Sequence, residues 1–379
     1  MADQRSIQRQ ESAPWRTRRG VSPRANEDLA DFRPISRTGY IRVAPVMAIP
    51  EVLRQLDVDP ASVLDAAGLH RDTFEHADNR ISIREIGRLF DLCARMTGRE
   101  HFGVLVGMRF TLSNLGPLGD LIRNSQTVEE ALGHLMHHLY WHDRAAAPLL
   151  LGQDNQCVLL GYSIYRNSTA GISYVYDTAI AIAYRILQEL CGDGWKPVSV
   201  QLAHRQPRNI SGYRELFHTR VQFNADVSGI VFHTADLRRP ISSANPIIRD
   251  QLLTSFEQAE RLEPLSYRER VQGVLHQVLW SGDLSIEAAA RRLCVEERTL
   301  RRRLKEEGTT FRQILLETRG EVAVQLLENS ELTIASIASI LRYDDPTAFS
   351  RAFKSWSGGS PAKWRKDSQD TQSKFPAFS

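Results

Sequence analysis

The chain has 379 residues, 42% hydrophobic and 25% charged, with a formal net charge of +3. That length calls for two domains, and no run approaches the roughly 18 uninterrupted apolar residues of a membrane span. Residues 1–20 are charged and lack an apolar centre, so they do not read as a secretory signal.

Cysteine usage narrows the setting. Cys93, Cys157, Cys191 and Cys294 form no CxxC pair. Scattered thiols suit a cytoplasmic protein better than a disulfide framework or a structural zinc site.

In chain order, residues 1–40 are polar and broken by Pro14, Pro23 and Pro34, with eight arginines against five acidic residues. They are expected to form a disordered basic arm, able to add only weak attraction to phosphate. From Val43 to Leu190 the periodicity is mainly helical. Within Ile81–Met96, the residues Ile86, Leu89, Phe90, Leu92 and Cys93 keep helical spacing. Residues Asn114–Asn124 read as a turn entering a helix. Thr127 caps a further helix reaching His142, with Glu129 and Glu130 at its positive end. Gln156–Tyr165 reads as a strand, and Ser168–Cys191 as a long apolar helix ended by Gly192 and Gly194. Strands follow at Pro197–Ala203 and Gly229–Thr234, with a helix at Tyr213–His218 between them. Helices flanking a small antiparallel sheet make residues 41–240 an α+β domain.

Residues 241–266, punctuated by Pro246 and Pro264, read as a linker with helical content. Residues 267–366 are then almost wholly helical, and 367–379 read as a flexible tail.

The all-α part nearly repeats itself. Ser285-Ile286-Glu287-Ala288-Ala289-Ala290 returns 48 residues later as Thr333-Ile334-Ala335-Ser336-Ile337-Ala338. In each copy a hydroxyl residue caps a short helix, and a small alanine (Ala290, Ala338) lets a second helix approach, as a helix-turn-helix requires. The second helices are Glu297–Glu306 and Pro346–Trp356. Leu300 and Leu304 face inward in one, and Phe349 and Phe353 in the other. Pro346 sits in the first turn, where it costs no hydrogen bond. The two motifs span 285–306 and 333–356.

Their outward faces carry Arg298, Arg301, Arg302 and Lys305 on the first, and Thr347, Ser350, Arg351 and Lys354 on the second. Arginine can fork onto guanine O6 and N7, while lysine and hydroxyls bind phosphate. One basic helix face is usually solvated surface; two in tandem, each behind a packed scaffold helix, point to double-stranded DNA. Phe311–Leu327 reads as a rigid connector that would hold the two helices about one DNA turn (roughly 34 Å) apart.

These residues resemble the DNA-binding domain of the AraC/XylS family. The resemblance is carried by Arg298 to Lys305, by Arg319, Ala323, Leu326 and Leu327 of the connector, and by Thr333 to Ala338. Its most specific stretch is Asp345 to Trp356, closed by Gly359-Ser360-Pro361 and Trp364-Arg365. It implies that Arg298, Arg301, Arg302, Thr347, Ser350 and Arg351 face DNA. Two positions depart from the family. Glu296 stands where serine usually caps the helix, and Arg342 replaces the glycine that commonly precedes the aromatic at Tyr343. If that turn needs φ > 0, the arginine costs roughly 1 kcal/mol, unless it reaches a phosphate instead.

Residues 43–237 also resemble the "arabinose-binding" N-terminal domain of one branch of the family, through Tyr213, Phe217, Val221-Gln222-Phe223, Ile230-Val231-Phe232 and Asp236 to Pro240. This implies a sensor for a small-molecule effector of unknown identity, a homodimer, and an activator that works with RNA polymerase. The alternative is a constitutive DNA-binding protein whose N-terminal half only dimerises.

His134, His138 and His142 recur every four residues with His137 beside them, a spacing that can chelate a metal. No cysteine or carboxylate set completes such a site, so ordinary surface or core histidines are expected. Tyr174, Tyr176 and Tyr184 either line an effector pocket or pack as aromatics. No P-loop, nucleophile elbow or zinc-protease motif is present, and the cysteines lack the proline and histidine setting of the alkyl-transfer repair domains fused to some relatives. No enzyme activity, catalytic residue, metal or cofactor is expected.

Overall fold

The computed structural model describes residues 39–154, 156–165, 170–262, 264–280 and 282–373. The expected basic arm therefore lies outside the described residues, except Gly39 and Tyr40. These two already belong to the fold, because β1 (Tyr40–Arg42) pairs antiparallel with β2 (Arg80–Ser82).

Between these strands lie α1 (Ile49–Gln55) and α2 (Pro60–Ala67). Asp59 caps α2 by accepting from the N–H groups of Ala61 and Ser62. Helix α3 (Ile83–Thr97) starts at a capping box of Ser82 and Glu85 and ends at Gly98 in the left-handed region. Ile86, Leu89, Phe90 and Cys93 are buried on its inner face as their spacing predicts. After α4 (Phe102–Gly107) and α5 (Pro117–Arg123), α6 (Val128–His138) begins at Thr127, which accepts from the Glu130 N–H. The helix stops at His138, short of the expected His142, and the chain tightens into a 3-10 turn over Leu139–Trp141.

The larger sheet runs in the order β3-β4-β7-β5-β6, with β3 (Ala146–Gly152), β4 (Cys157–Ile164), β5 (Ser199–Gln201), β6 (Val221–Gln222) and β7 (Gly229–His233). All its pairs are antiparallel except β5–β6, which is parallel. The expected antiparallel sheet is thus mixed at one edge. Strand β3 has no counterpart among the expected strands. Its run is apolar nearly throughout because both faces are covered, so the period-two signal is absent.

Helix α7 (Ile172–Cys191) ties the halves of this domain together. Its first turns join the helical cluster through Ile172, Val175 and Tyr176. Its later turns join the sheet cluster through Ile180, Tyr184 and Leu187. The approach of α4 to α7 depends on glycine, since a Cβ on Gly103 would lie 2.3 Å from the Tyr174 carbonyl oxygen. Helix α8 (Ser211–Phe217) follows. It carries Tyr213, which donates to Asp177 of α7 at 2.6 Å, and His204 meets the same carboxylate at 2.8 Å.

The segment marked as a linker folds as α9 (Pro246–Leu262) and docks on the N-terminal core. Phe256 is buried, and its ring stacks on His138 at 4.6 Å.

The C-terminal unit comprises α10 (Tyr267–Val278), α11 (Ile286–Arg292), α12 (Glu297–Glu306), α13 (Phe311–Asn329), α14 (Ile334–Ile340), α15 (Pro346–Ser357) and α16 (Pro361–Ser373). The expected tail from 367 is helical through Ser373, and residues 374–379 lie outside the described residues. Two small cores form here. One gathers Leu275, Ala290, Leu300, Leu304 and Ile314; the other gathers Leu326, Ile337, Ala338, Phe349 and Phe353. The connector α13 supplies Ile314 to the first and Val322 to Leu327 to the second. It is buried almost all round in that second stretch, which explains why its apolar residues follow no single stripe.

Candidate functional site

Helices α12 and α15 each follow a scaffold helix across a tight turn. Ser285 caps α11 through the Ala288 N–H at 3.2 Å, and Thr333 caps α14 through the Ser336 N–H at 3.0 Å. The turns repeat as well. Cys294 (φ 53) and Arg342 (φ 59) occupy equivalent places and are both left-handed. Val295 N–H then returns to the Ala290 carbonyl as Tyr343 N–H returns to Ala338, each at 3.0 Å. Leu300, Leu304, Phe349 and Phe353 are buried beneath.

Arg298, Arg301, Arg302 and Lys305 are exposed on α12, as are Thr347, Arg351 and Lys354 on α15, while Ser350 is half-buried. The structure therefore leaves the sequence-derived set, Ser350 apart, on open helix surface. Arg301 lies 2.6 Å from Glu297 and Arg302 lies 2.7 Å from Glu306, both one turn along α12. These pairs are solvent-exposed and contribute little to stability. Among the described residues no carboxylate forms an ion pair with Arg298, Lys305 or Lys354.

The two family departures have distinct outcomes. Glu296 makes no side-chain cap bond to α12, whereas Asp345 caps α15 through the Ala348 N–H at 2.7 Å. Glu296→Ser is expected to stabilise the C-terminal unit by about 0.5–2 kcal/mol. Thermal unfolding would register this as a raised Tm, and an unchanged Tm would show that the exposed end is satisfied by water. Arg342 does adopt the glycine-favoured conformation, but it does not extend toward solvent phosphate. It donates to the Trp280 carbonyl at 3.2 Å, and Arg319 donates to the Arg342 carbonyl at 3.1 Å while lying over the Tyr343 ring. Contacts on both sides hold the strained turn.

A second feature lies in the N-terminal domain. A cavity of about 100 Å³ sits between α3, α7 and the sheet. One stripe of α7, made of Val175, Ala179, Ile182 and Ile186, forms a wall. Phe90 of α3, Leu160 of β4 and Pro148 of β3 complete the apolar lining.

One end is polar, where Arg42, His142, Asp143 and Tyr162 meet. Arg42 pairs with Asp78. Asp143 accepts from the Tyr162 hydroxyl and, at 2.7 Å, from the Ala145 N–H. Burial lifts the Asp143 carboxyl to about 6 against these hydrogen bonds, which act to lower it. Burial, with the charge of Arg42 beside it, pulls His142 down to about 3. His142 is therefore a neutral imidazole, fully buried in the cavity wall.

No sequence signal marked this cavity. Tyr174, Tyr176 and Tyr184, the residues offered for an effector pocket, do not line it. Tyr184 packs between Trp195 and Phe217, and the Tyr176 hydroxyl meets the Ile164 N–H. Of the histidines, His138 stacks under α9 while His142 turns away into the cavity wall. Among the described residues no group of three potential ligands gathers for a metal.

The domains meet at the other face of the same strands. Leu149, Leu151 and Leu159 pack with Trp280, and Ser163 lies 3.0 Å from His276 Nδ1 on α10. The His276 ring sits 4.5 Å from that of Tyr165, with Glu321 of the connector 3.4 Å from its Nε2. Arg144 reaches Glu269 at 3.2 Å, and the Arg205 N–H donates to the Asn329 carbonyl at 2.9 Å.

Comparison with known proteins agrees with both halves. Residues 58–241 match the model of the arabinose-binding domain of AraC transcription regulators, and residues 289–367 match a helix-turn-helix domain. The chain belongs to the AraC family. The ornithine utilization regulator of Pseudomonas aeruginosa is 25% identical over 86% of this chain and 96% of its own. The transcriptional regulator VirS of Mycobacterium tuberculosis is 26% identical over the same shares, 86% and 96%. The transcriptional activator NphR of a Rhodococcus species is 32% identical over 33% of this chain and 36% of its own. This AraC-family member is thus a DNA-binding transcription regulator and not an enzyme. Among its described residues no helix is long and apolar enough to cross a membrane.

Proposed function

We propose that the protein is an effector-responsive activator whose N-terminal domain binds a small molecule and adjusts how the C-terminal unit engages DNA. One observation carries this reading. Strands β3 and β4 are a common wall, with Pro148, Leu160 and Tyr162 toward the cavity and Leu149, Leu151, Leu159 and Ser163 toward the DNA-binding unit. A ligand that shifts these strands favours one docking of α10 over another, which is a population shift with a built-in lever. The base contacts are assigned to Arg298, Arg301, Arg302 and Arg351, with Lys305, Thr347, Ser350 and Lys354 on phosphates. The activating role is supported by the 32% identity to the Rhodococcus activator over 124 residues. A homodimer and a contact with RNA polymerase belong to the same reading, since an activator acts by recruiting or remodelling polymerase at its promoter.

Trp280→Ala tests the lever. Effectors typically change affinity at a second site by about 1–3 kcal/mol. In the variant that change in promoter-fragment affinity, followed by fluorescence anisotropy, is expected to fall within about twofold of no effect. An undiminished effector response would reject the shared wall as the coupling route. A wild type whose promoter affinity ignores a broad metabolite panel would favour a constitutive DNA binder.

A further inference from the structure

The turns of the two motifs are equivalent in backbone and different in side chain. Cys294 and Arg342 are both left-handed, at φ 53 and φ 59. The Cys294 side chain is exposed and too short to reach beyond its own turn. Arg342 is gripped from two other elements. Its guanidinium donates to the carbonyl of Trp280 at 3.2 Å, and its own carbonyl accepts from Arg319 of the connector at 3.1 Å. Trp280 lies between α10 and α11, and its neighbour Leu279 is buried in the second small core. The entrance to the first motif is thus tied to the turn of the second, beside the chain path through α13.

That tie differs in kind from the rest of the contact. The second motif rests on α13 through apolar side chains, with Phe349 and Phe353 against Val322 and Leu326. Apolar contact is non-directional and tolerates a small rotation, whereas hydrogen bonds hold an angle. Arg342 stands in the turn that leads into α15, so what fixes this residue fixes the direction in which that helix leaves the turn. We propose that Arg342 is a positioning residue, a staple that holds α15 at one angle to α12, so that the protein accepts only one spacing between two DNA segments. The inference rests on α12 and α15 each reading one segment.

With no effector added, full-length protein selects a tight-binding duplex from a random library, and hydroxyl-radical protection locates the segments. Duplexes with one base pair inserted or deleted between them are compared with the parent by fluorescence anisotropy. One base pair moves a segment by about 3.4 Å and turns it by roughly 35° about the duplex. The wild type is expected to lose at least about tenfold on either altered duplex, as contacts from one helix are lost. Arg342→Asn tolerates the left-handed region but cannot reach Trp280. It should bind the parent within about threefold of wild type and lose only about two- to threefold on the altered duplexes. Arg342→Lys retains a long donor and should restore most of the wild-type penalty. A merely destabilised protein would weaken on all three duplexes alike. Arg342→Gly, which relieves the turn, takes the place of Arg342→Asn if that variant does not fold. A spacing penalty in the folded variant equal to that of wild type would overturn the proposal, as would Arg342→Lys relaxing as far as Arg342→Asn. A selected duplex protected at one segment only would instead overturn the two-helix reading, and the staple with it.

Discussion

Asp177→Ala is expected to lower the stability of the folded chain by about 3–5 kcal/mol, the usual effect of removing one member of a buried hydrogen-bonded pair. The carboxylate is fully buried on α7 and joins three separate segments, because the Tyr213 hydroxyl and His204 Nε2 both converge on it. Without it, buried His204 Nε2 loses its partner and the Tyr213 hydroxyl keeps only the Glu100 carbonyl at 3.1 Å.

The same residue predicts a pH dependence. Burial alone would lower the His204 pKa, but the charge of Asp177 and its hydrogen bond overcome that and raise it above 6.5. A histidine raised on folding contributes stability that is fully present below its unfolded pKa of about 6.5 and is lost as pH rises through the folded pKa. In urea unfolding this should appear as a stability difference between wild type and Asp177→Ala that narrows as pH rises from about 6.5 to about 9; below that range buried His138 and His142, held neutral, act on both proteins in the opposite sense. A variant of wild-type stability, or one with an unchanged pH profile, would show that the cluster does not hold the domain together.

The double variant Arg302→Ala, Arg351→Ala should lose about 2–6 kcal/mol of specific DNA binding, from about 1–3 kcal/mol at each helix. Additivity is expected because the two arginines stand on different helices over different small cores. Binding to unrelated DNA should fall much less, since only the contacts to bases are specific. Anisotropy with a promoter fragment and a scrambled duplex separates the two effects. Equal losses on both duplexes would mean these arginines grip phosphate, and the reading residues would have to be sought elsewhere on α12 and α15. Folding should survive, because both side chains are exposed.

The DNA-binding half was legible because its signals are local. Caps at Ser285 and Thr333, alanines at 290 and 338, and the inward pairs Leu300/Leu304 and Phe349/Phe353 all act within one or two helical turns. The weak start of α12 and the positive φ at Arg342 were readable for the same reason. The matching strain at Cys294 was not, as no glycine convention flags it there.

In the N-terminal domain the local elements were readable but their meeting points were not. The capping box of α3 and the long α7 follow from spacing, yet His142 reaches the cavity only because α6 ends at His138 and the chain turns. Asp177, His204 and Tyr213 lie far apart in the chain and carry no motif. Strand β3 lost its alternation to burial on both faces, and that double burial makes it the wall between cavity and reader.

The amino-acid sequence by itself determined the two helix-turn-helix motifs, the basic faces of their second helices and their scaffold, because helix caps and apolar spacing act over a few residues. Only the tertiary structure decided where the cavity lies and which strands separate it from the DNA-binding unit. A cavity and an interface arise from side chains of distant segments, and their positions are set by packing rather than by any local rule.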